Sequence, residues 1–172
     1  MALQTKVNVQ MAPAIAGMPA SVVESHYTAL THIAADPISV GNFVFADTTD
    51  GNKISAKGTG MVRGLAIYTR QYVVGSVTAE NSMVIPAGKL VQVATNGKFW
   101  VVATNANAKV GDFVLASQTD GSVTTQTGNA QKAGFTMTNF VVEKVLGTTA
   151  KSLVLISNQT ATVVPPMAAA AG

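Results

Sequence analysis

Cysteine is absent from the chain. That excludes disulfides and thiolate metal sites, leaves packing or assembly to hold the fold, and suits synthesis in a reducing cytoplasm. Charge is scarce as well. Only 11% of residues are charged against 48% hydrophobic, where soluble proteins carry about 25% charged residues. A soluble chain with so little charge is expected to hide much of its surface, most simply against other subunits. The net charge is +3, from 11 basic and 8 acidic residues, and the basic residues (Lys6, Lys53, Lys57, Arg63, Arg70, Lys89, Lys98, Lys109, Lys132, Lys144, Lys151) are scattered. Nucleic-acid binding needs a basic stripe facing several phosphates, so no nucleic-acid partner is expected. No apolar run approaches the roughly 18 residues of a membrane span, and Met-Ala-Leu-Gln-Thr-Lys does not open a signal-peptide core; no membrane partner is expected.

What the chain does have is a cassette used twice. Residues 40–51 read VGNFVFADTTDG and residues 110–121 read VGDFVLASQTDG. The offset extends further: Gly58 matches Gly128, Gly64 matches Gly134, and Leu65-Ala66-Ile67 faces Phe135-Thr136-Met137. Each copy is an apolar run ending in Asp-Gly, a hairpin-turn signal. The copies keep Val, Gly, Phe, Ala and the turn while their polar positions drift, Asp47 becoming Ser117 and Lys53 becoming Val123. Those are residues a hairpin needs in order to fold, so architecture is repeated and chemistry is not. Leu90-Val91-Gln92-Val93-Ala94 and Phe99-Trp100-Val101-Val102-Ala103 flank Asn96-Gly97, read as a further hairpin. Phe140 to Leu146 and Leu153 to Ile156 form a last pair around Gly147. Turn signals recur every 8–12 residues or so, as in a sandwich or barrel.

The expected fold is therefore all-β, a β-sandwich or β-barrel built from a duplicated hairpin unit. An extended N-terminal arm spans residues 1–25, the β domain spans 26–158 with hairpin units near 40–70 and 110–140, and a low-complexity C-terminal tail spans 159–172. A short helix has room only around residues 20–26 or in the final alanine run. Pro13 and Pro19 bar a regular helix across the arm. Its apolar side chains (Met11, Ile15, Met18, Val22, Val23) are costly to leave in water, so the arm reads as a clasp on a neighbour.

No catalytic centre is legible. His26 and His32 are the only histidines; six positions along a strand separate them by roughly 20 Å, too far to share a metal. Their functional reading is a general base beside Ser25 or Ser39, their structural one a surface or interface polar group. Asp47 and Asp50 before Gly51 loosely resemble a calcium loop but lack its alternating ligands and closing glutamate. Asp50 and Asp120 fit turn positions better. Gly58-Thr59-Gly60 has no following helix and no Gly-Lys-Ser/Thr ending, which removes a phosphate loop. No Gly-x-Ser-x-Gly elbow exists. Neither a cofactor nor a metal is expected, and the chain does not read as an enzyme. Trp100, Phe99, Tyr68 and Tyr72 offer a sugar-stacking platform only if they are exposed and coplanar; on alternating strands they read as core or interface.

The order of segments resembles the structural cement (capsid decoration) proteins of tailed bacteriophages. The resemblance rests on Gly17-Met18-Pro19 in the arm, Pro37-Ile38-Ser39-Val40-Gly41-Asn42-Phe43-Val44, Gly64-Leu65-Ala66-Ile67, Ile85-Pro86-Ala87-Gly88-Lys89-Leu90-Val91-Gln92-Val93, Phe99-Trp100-Val101-Val102 and Val110-Gly111-Asp112-Phe113-Val114-Leu115. It spans roughly residues 10–157. It implies a virion structural protein on the capsid exterior that binds the major capsid protein and reinforces its subunit contacts. It also implies a homo-oligomer, a trimer at local three-fold positions or alternatively a dimer. The arm residues expected to touch the partner are Met11, Pro13, Ile15, Met18, Pro19 and Val22. The alternative is a carbohydrate-binding or host-attachment module of the particle, a head fibre or tail component, resting on the aromatics around Trp100.

Overall fold

The computed structural model describes residues 14–20, 28–69 and 83–158. It is all-β. The strands are β1 (Thr28–Ala34), β2 (Ile38–Ser39), β3 (Phe43–Ala46), β4 (Lys53–Ser55), β5 (Val62–Ala66), β6 (Val84–Ile85), β7 (Leu90–Asn96), β8 (Lys98–Ala103), β9 (Phe113–Ser117), β10 (Val123–Gln126), β11 (Phe135–Leu146) and β12 (Ser152–Ser157). They form two closed five-stranded barrels, ordered β1-β4-β3-β5-β7 and β8-β10-β9-β11-β12, plus the small pair β2-β6. Of the two architectures expected, the barrel is the one found, and it occurs twice within the segment read as one β domain. The proposed helix at 20–26, the tail 159–172, and Ser25, His26 and Tyr72 lie outside the described residues.

Each barrel carries one parallel contact, β1 with β4 and β8 with β10, and both are closed the same way. Ala35 N donates to Ile54 O at 2.8 Å, and Thr104 N donates to Val123 O at 2.8 Å. An Asx side chain just past the first strand then grips the next one. Asp36 accepts from Ser55 Oγ (2.7 Å) and Ala56 N (2.8 Å). Asn105 Oδ1 accepts from Thr124 Oγ1 (3.1 Å) and Thr125 N (2.8 Å). The match along the chain is not uniform. Gly64 lies inside β5 opposite Val44, whereas Gly134 precedes β11, so the glycines paired by sequence offset are not paired in space.

Alternation puts Val44, Ile54, Ala66, Val91 and Val93 inside the first barrel, where Ile38 and Ile85 of the β2-β6 pair join them. The residues between them, Phe43, Phe45, Leu65, Ile67 and Ala94, point the other way and are equally buried. They enter one continuous cluster with Phe99, Val101, Val114, Ala116, Val123, Phe140, Val142, Val154 and Ile156 of the second barrel. Phe43 and Phe140 meet with ring centroids 5.7 Å apart at 57°, a tilted aromatic geometry. This explains why Phe43-Val44-Phe45 is apolar without a break: both faces of β3 are covered.

Two turns differ from their sequence reading. Asn96-Gly97 does not make a hairpin, because β7 pairs with β1 and β5 while β8 pairs with β10 and β12. Neither strand has an edge left for the other, and Gly97 (φ 136°) carries the chain from one barrel into the next. Asn158 secures this crossing: its Nδ2 donates to Thr95 O (2.9 Å) and its Oδ1 accepts from Gly97 N (2.9 Å). The two Asp-Gly turns also part company. Both aspartates accept an i+2 amide, Asn52 N on Asp50 and Ser122 N on Asp120, each at 3.0 Å. Gly51, however, meets nothing, whereas Gly121 (φ 69°) sits against the first barrel, where an added Cβ would lie 2.0 Å from Phe43 O. Phe43 N donates to Gly121 O (2.8 Å), Gly58 N to Gln118 O (3.0 Å) and Asn42 Nδ2 to Asp120 O (3.1 Å). The second turn thus ties the barrels together.

Replacing the two cassette glycines separates these roles. Gly121→Ala is expected to lower unfolding free energy by about 2–4 kcal/mol, from left-handed strain plus the backbone clash. Gly51→Ala should stay within about 0.5 kcal/mol, the usual range for a surface change. Phe43→Ala should cost about 3–5 kcal/mol. Urea unfolding of the three variants checks all of these.

Candidate functional site

Among the described residues, the carboxylates of Asp36, Asp47 and Asp112 are hydrogen-bonded within the fold. His32 lies on β1 opposite Val91, and Asp36, the nearest acid in sequence, is taken up by Ser55 and Ala56. Asp47 accepts from Thr49 N (2.7 Å), Thr49 Oγ1 (2.6 Å) and Asp50 N (3.3 Å). The Thr49 hydroxyl and amide hold its carboxyl below the usual carboxylate range; slight burial opposes them, and the Asp50 amide and Lys53 add to the lowering. Asp112, which occupies Asn42's place in the second cassette, is buried and accepts from Lys109 N (2.9 Å) and Thr127 Oγ1 (2.7 Å). Among the described residues no group of three or more His, Cys, Asp or Glu could hold a metal ion.

Among the described residues, Phe99 and Trp100 offer no exposed platform. Phe99 points into the shared core, and Trp100, facing outward, is still only 8% exposed. Trp100 is opposite Leu155 on β12, with the arm on its other side. The sugar-binding alternative loses its main support here.

The candidate surface is the arm and the sheet face it borders. Residues 14–20 run antiparallel to the start of β8. Gly17 N donates to Trp100 O (2.7 Å), Trp100 N to Met18 O (2.9 Å) and Ala20 N to Lys98 O (2.9 Å), with Pro19 bridging Phe99. Pro19, lacking an N–H, sits on an outer strand where no donor is needed. On the other side Tyr68 N donates to Gly17 O (2.9 Å), so Gly17 touches both barrels. Its φ is 78° and an added Cβ would lie 2.5 Å from Val40 Cγ1. Sequence reasoning noted Gly17 only as part of a motif; that it is a wedge between barrels depends on contacts from residues 40, 68 and 100.

The six expected arm residues divide accordingly. Ile15 (43% exposed) and Met18 (42%) present apolar side chains to the outside, while Pro19 seats the arm on β8. Met11, Pro13 and Val22 lie outside the described residues. Met18 continues a row the sequence reading missed: Leu146, Leu153 and Val102 stand opposite one another across β11, β12 and β8, with Leu155 and Trp100 alongside. Only strand register could reveal that row.

Two barrels joined by one shared core, a strapped-on arm and apolar outer rows define a β-structured protein. The family model described as "Structural cement protein (E217 gp24/Pam3 gp6)" matches residues 3–159. The chain belongs to this family of phage structural cement proteins, and it is a structural protein that associates with the capsid. Among solved structures, a chain of "The capsid of Myoviridae Phage XM1" is similar over 93% of this chain and 99% of that one, at 19% identity and a TM-score of 0.65, which shows a shared fold. A looser likeness, at a TM-score of 0.42 and 14% identity, is to "The crystal structure of head fiber gp8.5 N base in bacteriophage phi29", covering 76% of this chain and 93% of that one. No curated protein matches the chain.

Gly17→Ala should release the arm: cleavage by a non-specific protease within residues 14–20 is expected to quicken about tenfold or more, as the added Cβ strains a left-handed residue in a filled gap. The second Asp-Gly turn should be acid-sensitive. Burial raises the Asp120 carboxyl, but hydrogen bonds from Ser117 and Ser122 outweigh it and hold the group below its usual value. A depressed folded-state value contributes stability that is present above the unfolded value of about 3.9 and is lost as pH falls through the lower, folded one. Asp120→Asn should therefore flatten the acid limb of a stability-against-pH profile below about pH 4.

Proposed function

We propose that this chain cements a phage head from outside, binding the outer surface of the assembled capsid across joints between major capsid protein subunits. The observation that carries the reading is the family match over residues 3–159. The scarcity of charge (11%) and the apolar Ile15 and Met18 on the arm fit a molecule that works with much of its surface covered. It acts as a homo-oligomer, a trimer at local three-fold positions, so that many small contacts on a fixed lattice add up through avidity.

The two barrels are one hairpin-based unit used twice. Their common strand order, the shared parallel closure and the Asp36 and Asn105 grips support this. The arm contact set is Met11, Pro13, Ile15, Met18 and Val22, with Pro19 fixing the strand that displays it. Residues 14–20 also serve the fold, through their bonds to β8 and Tyr68. The informative truncation therefore removes residues 1–13 and leaves 14–20 in place.

Burying the exposed two-fifths of Ile15 and Met18 would contribute about 1 kcal/mol each, a fraction of the roughly 1.5–3 kcal/mol for a whole side chain. The double variant Ile15→Ser/Met18→Ser should bind undecorated phage heads about 10- to 100-fold more weakly per copy, with its melting temperature nearly unchanged. Removal of residues 1–13 should weaken binding further. Co-sedimentation with purified heads measures both, and failure of the unaltered protein to co-sediment would sink the cement reading itself.

A further inference from the structure

The barrels share an outward feature as well as an inward plan. In the first barrel, Ile33 on β1 stands opposite Leu90 on β7. In the second, Val102 on β8 stands opposite Leu153 on β12. These positions correspond. Ile33 and Val102 each precede the alanine, Ala34 or Ala103, that turns inward and packs beside the parallel strand. The outward pairs are apolar in both barrels: Ile33 is 36% exposed, Leu90 53% and Val102 36%. The hydrophobic effect gives no reason for a soluble fold to place such pairs outward at matching sites.

Lysines stand at both rims. Lys53 lies opposite Ile33 on β4, and Lys89 adjoins Leu90; both are exposed. Lys144 lies opposite Leu155, next to the second pair, and is exposed too. Asp50 reaches Lys53 at 3.4 Å, but among the described residues no carboxylate stands within 4 Å of the amino group of Lys89 or Lys144. A complementary surface is thus an apolar spot with an acidic rim.

We infer that Ile33–Leu90 and Val102–Leu153 are two equivalent docking patches that take the same acidic-rimmed apolar surface on two neighbouring copies of one shell subunit. A lattice of identical subunits offers that surface repeatedly, and a chain with one patch per barrel spans two of them. The inference rests on the cement reading and names how the contact is made. The second patch is the larger. Trp100, Leu155 and Met18 extend it, where the first passes to Thr31 and Gln92. It holds the tighter of the two contacts.

Leu90→Asp and Val102→Asp test this with undecorated phage heads, since both side chains are exposed in the folded chain and circular dichroism with thermal melting verifies that each variant folds. Each single variant should bind at least about tenfold more weakly, Val102→Asp the more so, and the double variant should fall to background. Lys89→Glu should also weaken binding, and it places no apolar residue at risk. Heads that take up the unaltered protein but bind both single variants equally well overturn the inference and leave the cement reading standing. So does a result in which one variant abolishes binding while the other leaves it intact. Heads that take up no unaltered protein overturn the cement reading instead.

Discussion

Phe43 and Phe45 leave the first barrel and enter the core of the second, and the rest of the molecule is arranged around that choice. Five-stranded barrels of this size bury little on their own. By sending the outer faces of β3 and β5 into the second barrel's cluster, the chain converts two marginal cores into one continuous apolar interior. With no cysteine to cross-link it, this merged core is the main source of stability. It also fixes the relative orientation of the two barrels.

Polar detail then locks what apolar burial brings together. The Gly121 turn and the Phe43 amide staple one side of the junction, and Asn158 pins the single-residue crossing at Gly97. The arm closes a third side through Gly17, whose backbone bonds reach both barrels. At Gly17 and Gly121 the backbone is left-handed and the space for a Cβ is already filled, so each glycine serves contact as well as conformation.

The all-β fold, the strand positions near the two cassettes and the β11–β12 pair were legible from the chain alone. Apolar alternation, Gly and Asp turn chemistry, and residue types are local properties, and those levels agreed with the structure. The segments quoted for the cement-protein resemblance were enough to reach the family. What misled was the same locality. Asn96-Gly97 has the composition of a hairpin turn, yet its flanking strands find better partners elsewhere. Asp50-Gly51 and Asp120-Gly121 are the same dipeptide with the same Asx bond, yet only the second docks against another barrel.

The sequence by itself determined that this protein is a β scaffold, short of charge and without cysteine, because those traits follow from which residues are present and how they alternate. Only the tertiary structure decided that there are two barrels, that Phe43 and Phe45 belong to the neighbour's core, and that Gly17 is a wedge. It alone set Ile33 beside Leu90 and Val102 beside Leu153. Such pairings join residues about 50 or more positions apart through strand register, and register is settled by the burial energy of the whole assembly of strands, which no local pattern records.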